Sequence, residues 1–454
     1  MFRTSSKVDG TSAPGPDGLE LARWYNGAFT DIFGTFIDTA RRYGPVARVP
    51  FPPGREWFIV SSPDGVAHVL QDNHRNYIKG LPYRFLEPVV GKGLVTSDGE
   101  LWRRQRRLVA PMFHRSRMPV WAGTMVESTA GLLDRWERQP EDEPIDVADQ
   151  LMELTLSIAG KLLFNRDFGA ESEWIGDHLT LILRDTNRRI SNPMAIPRGV
   201  PTPHNRRVAR ALQEFDDFVY ELIEDRRGDE EKYDDVLSTF MLAEDEGGEQ
   251  MSDKQIRDEV ITFIIAGHET TASHLSWTFY LLAEHPEVRE RVEREVDEQL
   301  SGMMPTMEEV RGLDYLEQVI DESMRLYPPA WTIEREPLED DVIEGFHIPA
   351  GSTVTVGPYF VHRNAQVWDD VDEFRPERFG PDADAPDHRY AHFPFGGGPR
   401  MCAGADFAIL EAKLILSAVI RRFRLDLVEE ASVEPEATAT IRPRDGLAMT
   451  LRRR

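Results

Sequence analysis

One cysteine stands in a chain of 454 residues, and glycines surround it. The stretch reads Phe395-Gly396-Gly397-Gly398-Pro399-Arg400-Met401-Cys402-Ala403-Gly404. A lone thiol closes no internal disulfide and builds no multi-cysteine metal site. It can still serve as one thiolate. Glycines at 396, 398 and 404 allow tight turns and a close backbone approach to a flat ligand. Ala403 to Lys413 reads as a helix, which sets Cys402 at a helix N-terminus, where the dipole and free N–H groups favour a thiolate. A buried, inert cysteine in a glycine-rich turn is the plainer alternative.

A single thiolate is the axial ligand that haem iron takes when dioxygen is to be cleaved. Arg400 offers a fixed fork of donors to a haem propionate. The stretch resembles the haem loop of the cytochrome P450 superfamily, F-x-x-G-x-R-x-C-x-G, at every patterned position. The resemblance implies that Phe395, Arg400, Cys402 and Gly404 hold haem b, with Cys402 on the iron. It also implies a mainly α fold with small β-sheets, a triangular prism of helices with a long central helix over the haem.

The bulk composition fits a soluble enzyme. Formal net charge is −26, so nucleic acid is excluded as a partner on electrostatic grounds. Of 53 basic side chains seven are lysine and the rest arginine. Acidic excess with scarce lysine suits either a high-salt cytoplasm or a GC-rich genome with ordinary solubility charge. Apolar runs stop well short of the roughly 20 residues that span a membrane, and no signal peptide precedes them. The expectation is a cytoplasmic monomer with no membrane anchor: a flexible arm over 1–20, then a single domain over 21–454.

Spacing predicts helices over 24–43, 63–70 and 99–112, two more between 120 and 164, then 171–190, 206–227, 286–300 and 312–327. It predicts strands over 46–60, 331–355 and after 425, and a loop over 76–95. Ser252 and Gln255 form a capping box that opens the longest helix, ended by Pro286. At 1.5 Å per residue that helix is roughly 50 Å long.

Inside it lies Ala266-Gly267-His268-Glu269-Thr270-Thr271. Adjacent threonines beside a glycine weaken a helix interior, because their hydroxyls compete for backbone carbonyls. The segment is similar to the superfamily's [AG]-G-x-[DE]-T-[TS] element. That likeness places Ala266 and Gly267 against the cofactor, makes Thr270 the hydrogen-bond partner of dioxygen, and makes Glu269 the acid that passes protons inward. His268-Glu269 does not start a zinc-protease H-E-x-x-H, since position 272 is alanine.

Glu322 and Arg325 lie three apart on one helix face, and Pro376-Glu377-Arg378-Phe379 follows about fifty residues on. In the superfamily such residues form a buried Glu322–Arg325–Arg378 triad that supports folding and haem retention. Trp102 and Arg106 match its propionate-binding W-x-x-x-R, and Arg335 is a further propionate candidate. Arg103, Arg104, Arg107, Arg115 and Arg117 leave a basic patch on an acidic protein, suited to a small acidic ferredoxin-type donor fed by NAD(P)H through a separate reductase.

These residues point to a haem-thiolate monooxygenase that uses O2 and two electrons to hydroxylate a C–H bond. Peroxide-driven oxygenation or isomerisation on the same fold, and a non-enzymatic haem sensor, are the alternatives. The superfamily builds its pocket where this chain has Phe85, Leu86, Met194, Phe263 and Trp331, so the substrate is expected to be apolar. Arg325 to Trp331, Ala266 to Thr270 and Asp406 to Glu411 resemble bacterial carotenoid-ring and fatty-acid hydroxylases, which points to a long apolar substrate.

Overall fold

A computed structural model describes residues 10–51, 54–141, 143–191, 195–244, 248, 250–428 and 433–454. The architecture is mainly helical with small sheets, as the sequence predicts. The chain divides into two compact units.

The first unit runs to Phe85 and adds Ala330–Glu373 and Asp384–Cys402. Its five-stranded sheet places Val46–Phe51, Arg55–Val60, Thr353–Val356, Ile333–Pro337 and Tyr77–Lys79 side by side. Val46 pairs with Val60, and Phe58 pairs in parallel with Val354. Val46, Phe58, Ile59, Val354 and Val356 are fully buried or nearly so. Rings pack against them: Phe36 lies edge-on to Trp57 at 5.6 Å and to Trp331 at 5.9 Å. Trp24 gives its indole N–H to Thr39 at 2.8 Å, so a large aromatic is buried without an orphaned donor.

Three expectations change here. The described part of the presumed arm is tied down: Thr11 N donates to Gly345 O at 3.0 Å and Arg48 N to Pro14 O at 2.8 Å. Residues 1–9 lie outside the described residues. The single helix expected over 24–43 is two, Gly18–Thr30 and Ile32–Tyr43, because the Asp31 side chain accepts from Gly34 N at 2.9 Å and starts a new helix. The expected loop over 76–95 contains the helix Leu81–Val90. Pro82 falls in its first turn, where a missing N–H costs nothing.

The second unit holds Leu86–Pro329, Phe374–Ala383 and Ala403–Arg454. Its axis is the helix Asp253–Glu284, with the capping box of Ser252 and Gln255 in place. Val147–Phe164, Pro203–Arg226, Asp314–Leu326 and Ala405–Arg422 pack against this axis. The central helix is buried over most of its length, so it lacks the one-sided pattern of a surface helix. Among the described residues no helix is long and apolar enough to cross a membrane.

One buried ion pair ties three segments of this unit. Arg226, 7% exposed, meets Asp235, 5% exposed, at 2.7 Å, and also donates to Phe164 O at 2.7 Å. Removing one partner of such a pair strands a charge at a cost of about 3–5 kcal/mol. Arg226→Met should therefore lower unfolding stability by that order in denaturant titrations. Arg226→Met with Asp235→Leu should recover most of the loss.

Candidate active site

Three glycines shape the loop that carries the thiol. Gly396 and Gly398 sit at φ +72° and +63°, in the left-handed region. A Cβ on Gly398 would lie 1.9 Å from the Leu70 carbonyl oxygen, and one on Gly397 would lie 2.3 Å from the Tyr390 ring. The loop closes on itself when Cys402 N donates to Phe395 O at 3.0 Å. Cys402 is exposed. In the same unit Arg335 lies on the strand Ile333–Pro337, 5% exposed, donating to Glu334 O at 2.9 Å. Burial pushes the Tyr83 hydroxyl up while Arg335 and Arg400 pull it back, so the tyrosine and both guanidiniums share one neighbourhood. An exposed soft sulfur with guanidiniums in the same unit is a donor set that suits the iron and the carboxylates of haem.

The other candidates lie in the second unit. Ala266 is exposed and Gly267 and Thr270 half-buried, midway along a helix whose flanking turns are buried. Thr270 Oγ1 donates to Ala266 O at 2.7 Å, one turn back. Glu269, 4% exposed, accepts from Thr440 Oγ1 at 2.8 Å and Thr438 Oγ1 at 3.4 Å. His268, 2% exposed, donates from Nδ1 to Ile264 O at 2.6 Å, and burial lowers its pKa. Trp102 and Arg106 are half-buried on the helix Gly99–Val109. That helix is anchored by Gln105, which donates to Lys92 O at 2.7 Å. Gly404 caps the helix Ala405–Arg422, and a Cβ there would come within 3.4 Å of the Phe113 ring.

Glu322, Arg325 and Arg378 come together. Glu322 and Arg325 have no exposed side-chain surface. Arg325 Nε meets Glu322 Oε2 at 2.6 Å, and Arg378 Nε meets Oε1 at 3.1 Å. The backbone N–H of Arg375 adds a third donor to Oε1 at 2.9 Å. The carboxylate is thus paired and hydrogen-bonded, as a charge without solvent must be.

Phe263 stacks on Phe113 at 6.0 Å and leans on Phe240 at 5.9 Å, and Leu86 packs on the same core. Phe85 is half-buried in the first unit. Trp331 packs edge-on to Phe33 at 5.3 Å in the aromatic cluster of that unit. Met194 lies outside the described residues.

Sequence reasoning missed Thr438 and Thr440, which reach Glu269 from about 170 residues away and carry no local signal. It also missed Glu411, a fully buried acid on the helix Ala405–Arg422. Burial pushes its carboxyl up to about 8, with Thr271 as the opposing polar neighbour. A raised acid contributes stability that is complete below its unfolded pKa and is lost as pH rises through the folded value. Glu411→Gln should therefore match the parent at pH near 4 and melt higher than it at pH near 8. Equal melting at both values would contradict a neutral Glu411.

Comparison with known proteins places this geometry. The family model "Cytochrome P450" matches residues 21–450. The chain is 32% identical to LUTEIN DEFICIENT 5, chloroplastic, of Arabidopsis thaliana, covering 99% of this chain and 78% of that protein. It is 33% identical to cyclooctat-9-en-7-ol 5-monooxygenase of Streptomyces melanosporofaciens, covering 86% and 84%. It is 31% identical to carotene epsilon-monooxygenase, chloroplastic, of Arabidopsis thaliana, covering 91% and 80%. The chain belongs to the cytochrome P450 family, whose members hold haem through a cysteine thiolate, and it is a monooxygenase.

Proposed function

We propose that this monooxygenase hydroxylates a long apolar substrate, a carotenoid or related terpenoid ahead of a fatty acid, with electrons from a ferredoxin-type donor. The observation that carries the reading is Cys402, the chain's one thiol, exposed on a loop closed by its own N–H. Haem b supplies the activation of dioxygen when bound there. The chain's residues then have separate tasks. Cys402 Sγ provides the thiolate. Arg335 and Arg400, with Trp102 and Arg106, bind the propionates. Thr270 Oγ orients a proton toward dioxygen, and Glu269 resupplies it. The overall balance is substrate, O2, two electrons and two protons giving hydroxylated product and one water.

The substrate class rests on relatives whose names are those of carotene and terpenoid oxygenases, and on the apolar side chains of Phe85, Leu86 and Phe263. The donor rests on exposed Arg103 and Arg107. Arg103 pairs with Glu100, Arg115 with Asp406 at 3.0 Å, and Arg117 with Asp234. Such surface pairs are worth at most about 1 kcal/mol, so a donor's carboxylates can replace them.

Turnover of the holoenzyme with NAD(P)H, reductase, ferredoxin and isotope-labelled O2 tests this reading. Product should carry one labelled atom from a carotenoid or terpenoid in the panel. Thr270→Ala should keep consuming NAD(P)H while product falls by roughly a hundredfold or more, the scale of a lost proton-transfer group. Activity with peroxide alone, and none with the electron donors, would favour the peroxide-driven alternative.

A further inference from the structure

The end of the helix Ser172–Ser191 and the start of the helix Pro203–Arg226 carry a charge opposite to that of the whole chain. Between His178 and Gln213 stand seven arginines and one acid, Asp185, a net of +6 in a chain of net −26. A cavity of about 330 Å³ lies in this segment, within the second unit. Arg188, Arg189 and His204 line it together with Asp185, and Ile196 and Pro203 add apolar wall.

Buried polar side chains fix the loop that frames this space. Arg189, 9% exposed, donates to Ile196 O at 2.7 Å and to Asn205 Oδ1 at 2.9 Å. Asn205, 5% exposed, donates in turn to Pro197 O at 2.9 Å and Val200 O at 2.7 Å. Asp185 accepts from Arg189 at 2.8 Å, Arg198 at 3.1 Å and His204 at 2.9 Å. Burial pushes its carboxyl up, yet these three donors hold it down at about 2. This one carboxylate is outnumbered. Arg188, Arg189 and Arg198 set three guanidiniums against it, so a surplus of two positive charges remains. Arg188 is exposed and makes no ion pair with the described residues. Cations set among low-dielectric walls focus the local field and draw anions in. A surplus of two suits a dianion, and the guanidinium fork matches the oxygens of phosphate.

We infer that this cavity is an oxyanion site for a phosphate group, free or as the head of a phosphate ester, with Arg188 as its principal ligand. A phosphate fills only part of the space, so an attached organic group can lie along Ile196 and Pro203. The bound anion joins the last turns of one helix to the first turn of the next, across the loop between them. No bond is made or broken there, and the site needs neither haem nor the acid–alcohol pair of the central helix. A phospholipid headgroup and a soluble phosphate share this chemistry.

Titration of the holoprotein with inorganic phosphate, at an ionic strength held constant with sodium chloride, provides the test. The melting temperature should rise and its binding isotherm saturate at one site, as linkage to a bound ligand requires. Arg188→Glu should weaken that binding roughly tenfold or more, the scale of a lost charge-assisted hydrogen bond. Ile196→Glu, which adds a carboxylate to the lining from an exposed position, should do the same. Arg138→Glu, at an exposed arginine outside this segment, should bind phosphate like the parent. Haem content should be equal in all four proteins. Flotation with phosphatidylcholine vesicles that carry phosphatidic acid separates the two sources. Flotation lost in Arg188→Glu along with phosphate binding supports the site and assigns a lipid headgroup. Phosphate binding without Arg188-dependent flotation supports it and assigns a soluble phosphate. No saturable response in the parent, or the same response in the parent and both cavity variants, would overturn the site and leave only charge screening. Equal loss in Arg138→Glu and Arg188→Glu would overturn it as well.

Discussion

The backbone between Phe393 and Cys402 closes only with glycine at three consecutive positions. Gly396 and Gly398 take left-handed conformations, and Gly398 passes too near the Leu70 carbonyl for any side chain. Gly397 lies against the Tyr390 ring, where a Cβ would overlap it. A methyl group at Gly397 or Gly398 would push the loop off these neighbours, and one at Gly396 would strain its left-handed backbone. The Cys402 N–H then would lose Phe395 O, and the thiol its direction. A single soft ligand is useful only if its position is fixed, so the chemistry depends on this short run of backbone.

A second constraint acts in the other unit. Glu322 has no exposed surface and holds Arg325, Arg378 and the Arg375 N–H. Ionised groups so placed cost several kcal/mol unless each is answered, and here each carboxylate oxygen has a charged donor. The arrangement pins the helix Asp314–Leu326 to the turn Pro376–Phe379. The central helix shows the converse. It is buried over most of its length, with Ala266 exposed and Thr270 half-buried midway along it. Thr270 spends its hydroxyl on the Ala266 carbonyl, the competition that makes threonine a poor mid-helix residue and a useful one beside a reaction.

Much of this was legible in the sequence because its causes are local. A capping box opens the central helix, Pro286 follows it, and alternating apolar residues mark Val46–Phe51 and Arg55–Val60. The glycine spacing around Cys402 needs only neighbours in the chain. Elements went astray where a breaker has two meanings. Pro82 signals a loop yet stands in the first turn of a helix, and Asp31 splits one expected helix by capping the next. The partners of Glu269 and the burial of Glu411 were not legible, since both depend on contacts more than a hundred residues apart. No pattern around Thr438 or Thr440 announces what the two hydroxyls face.

The carbon-monoxide spectrum of the reduced holoprotein tests the assignment of Cys402 most directly. Thiolate ligation of the haem would shift the main absorption band to longer wavelength than a nitrogen or oxygen ligand would. The protein as it stands should show that shifted band. Cys402→Ser should lose it while its far-ultraviolet circular dichroism stays unchanged. Persistence of the shifted band in the serine variant would show that the ligand is not Cys402, and the loop would need another role.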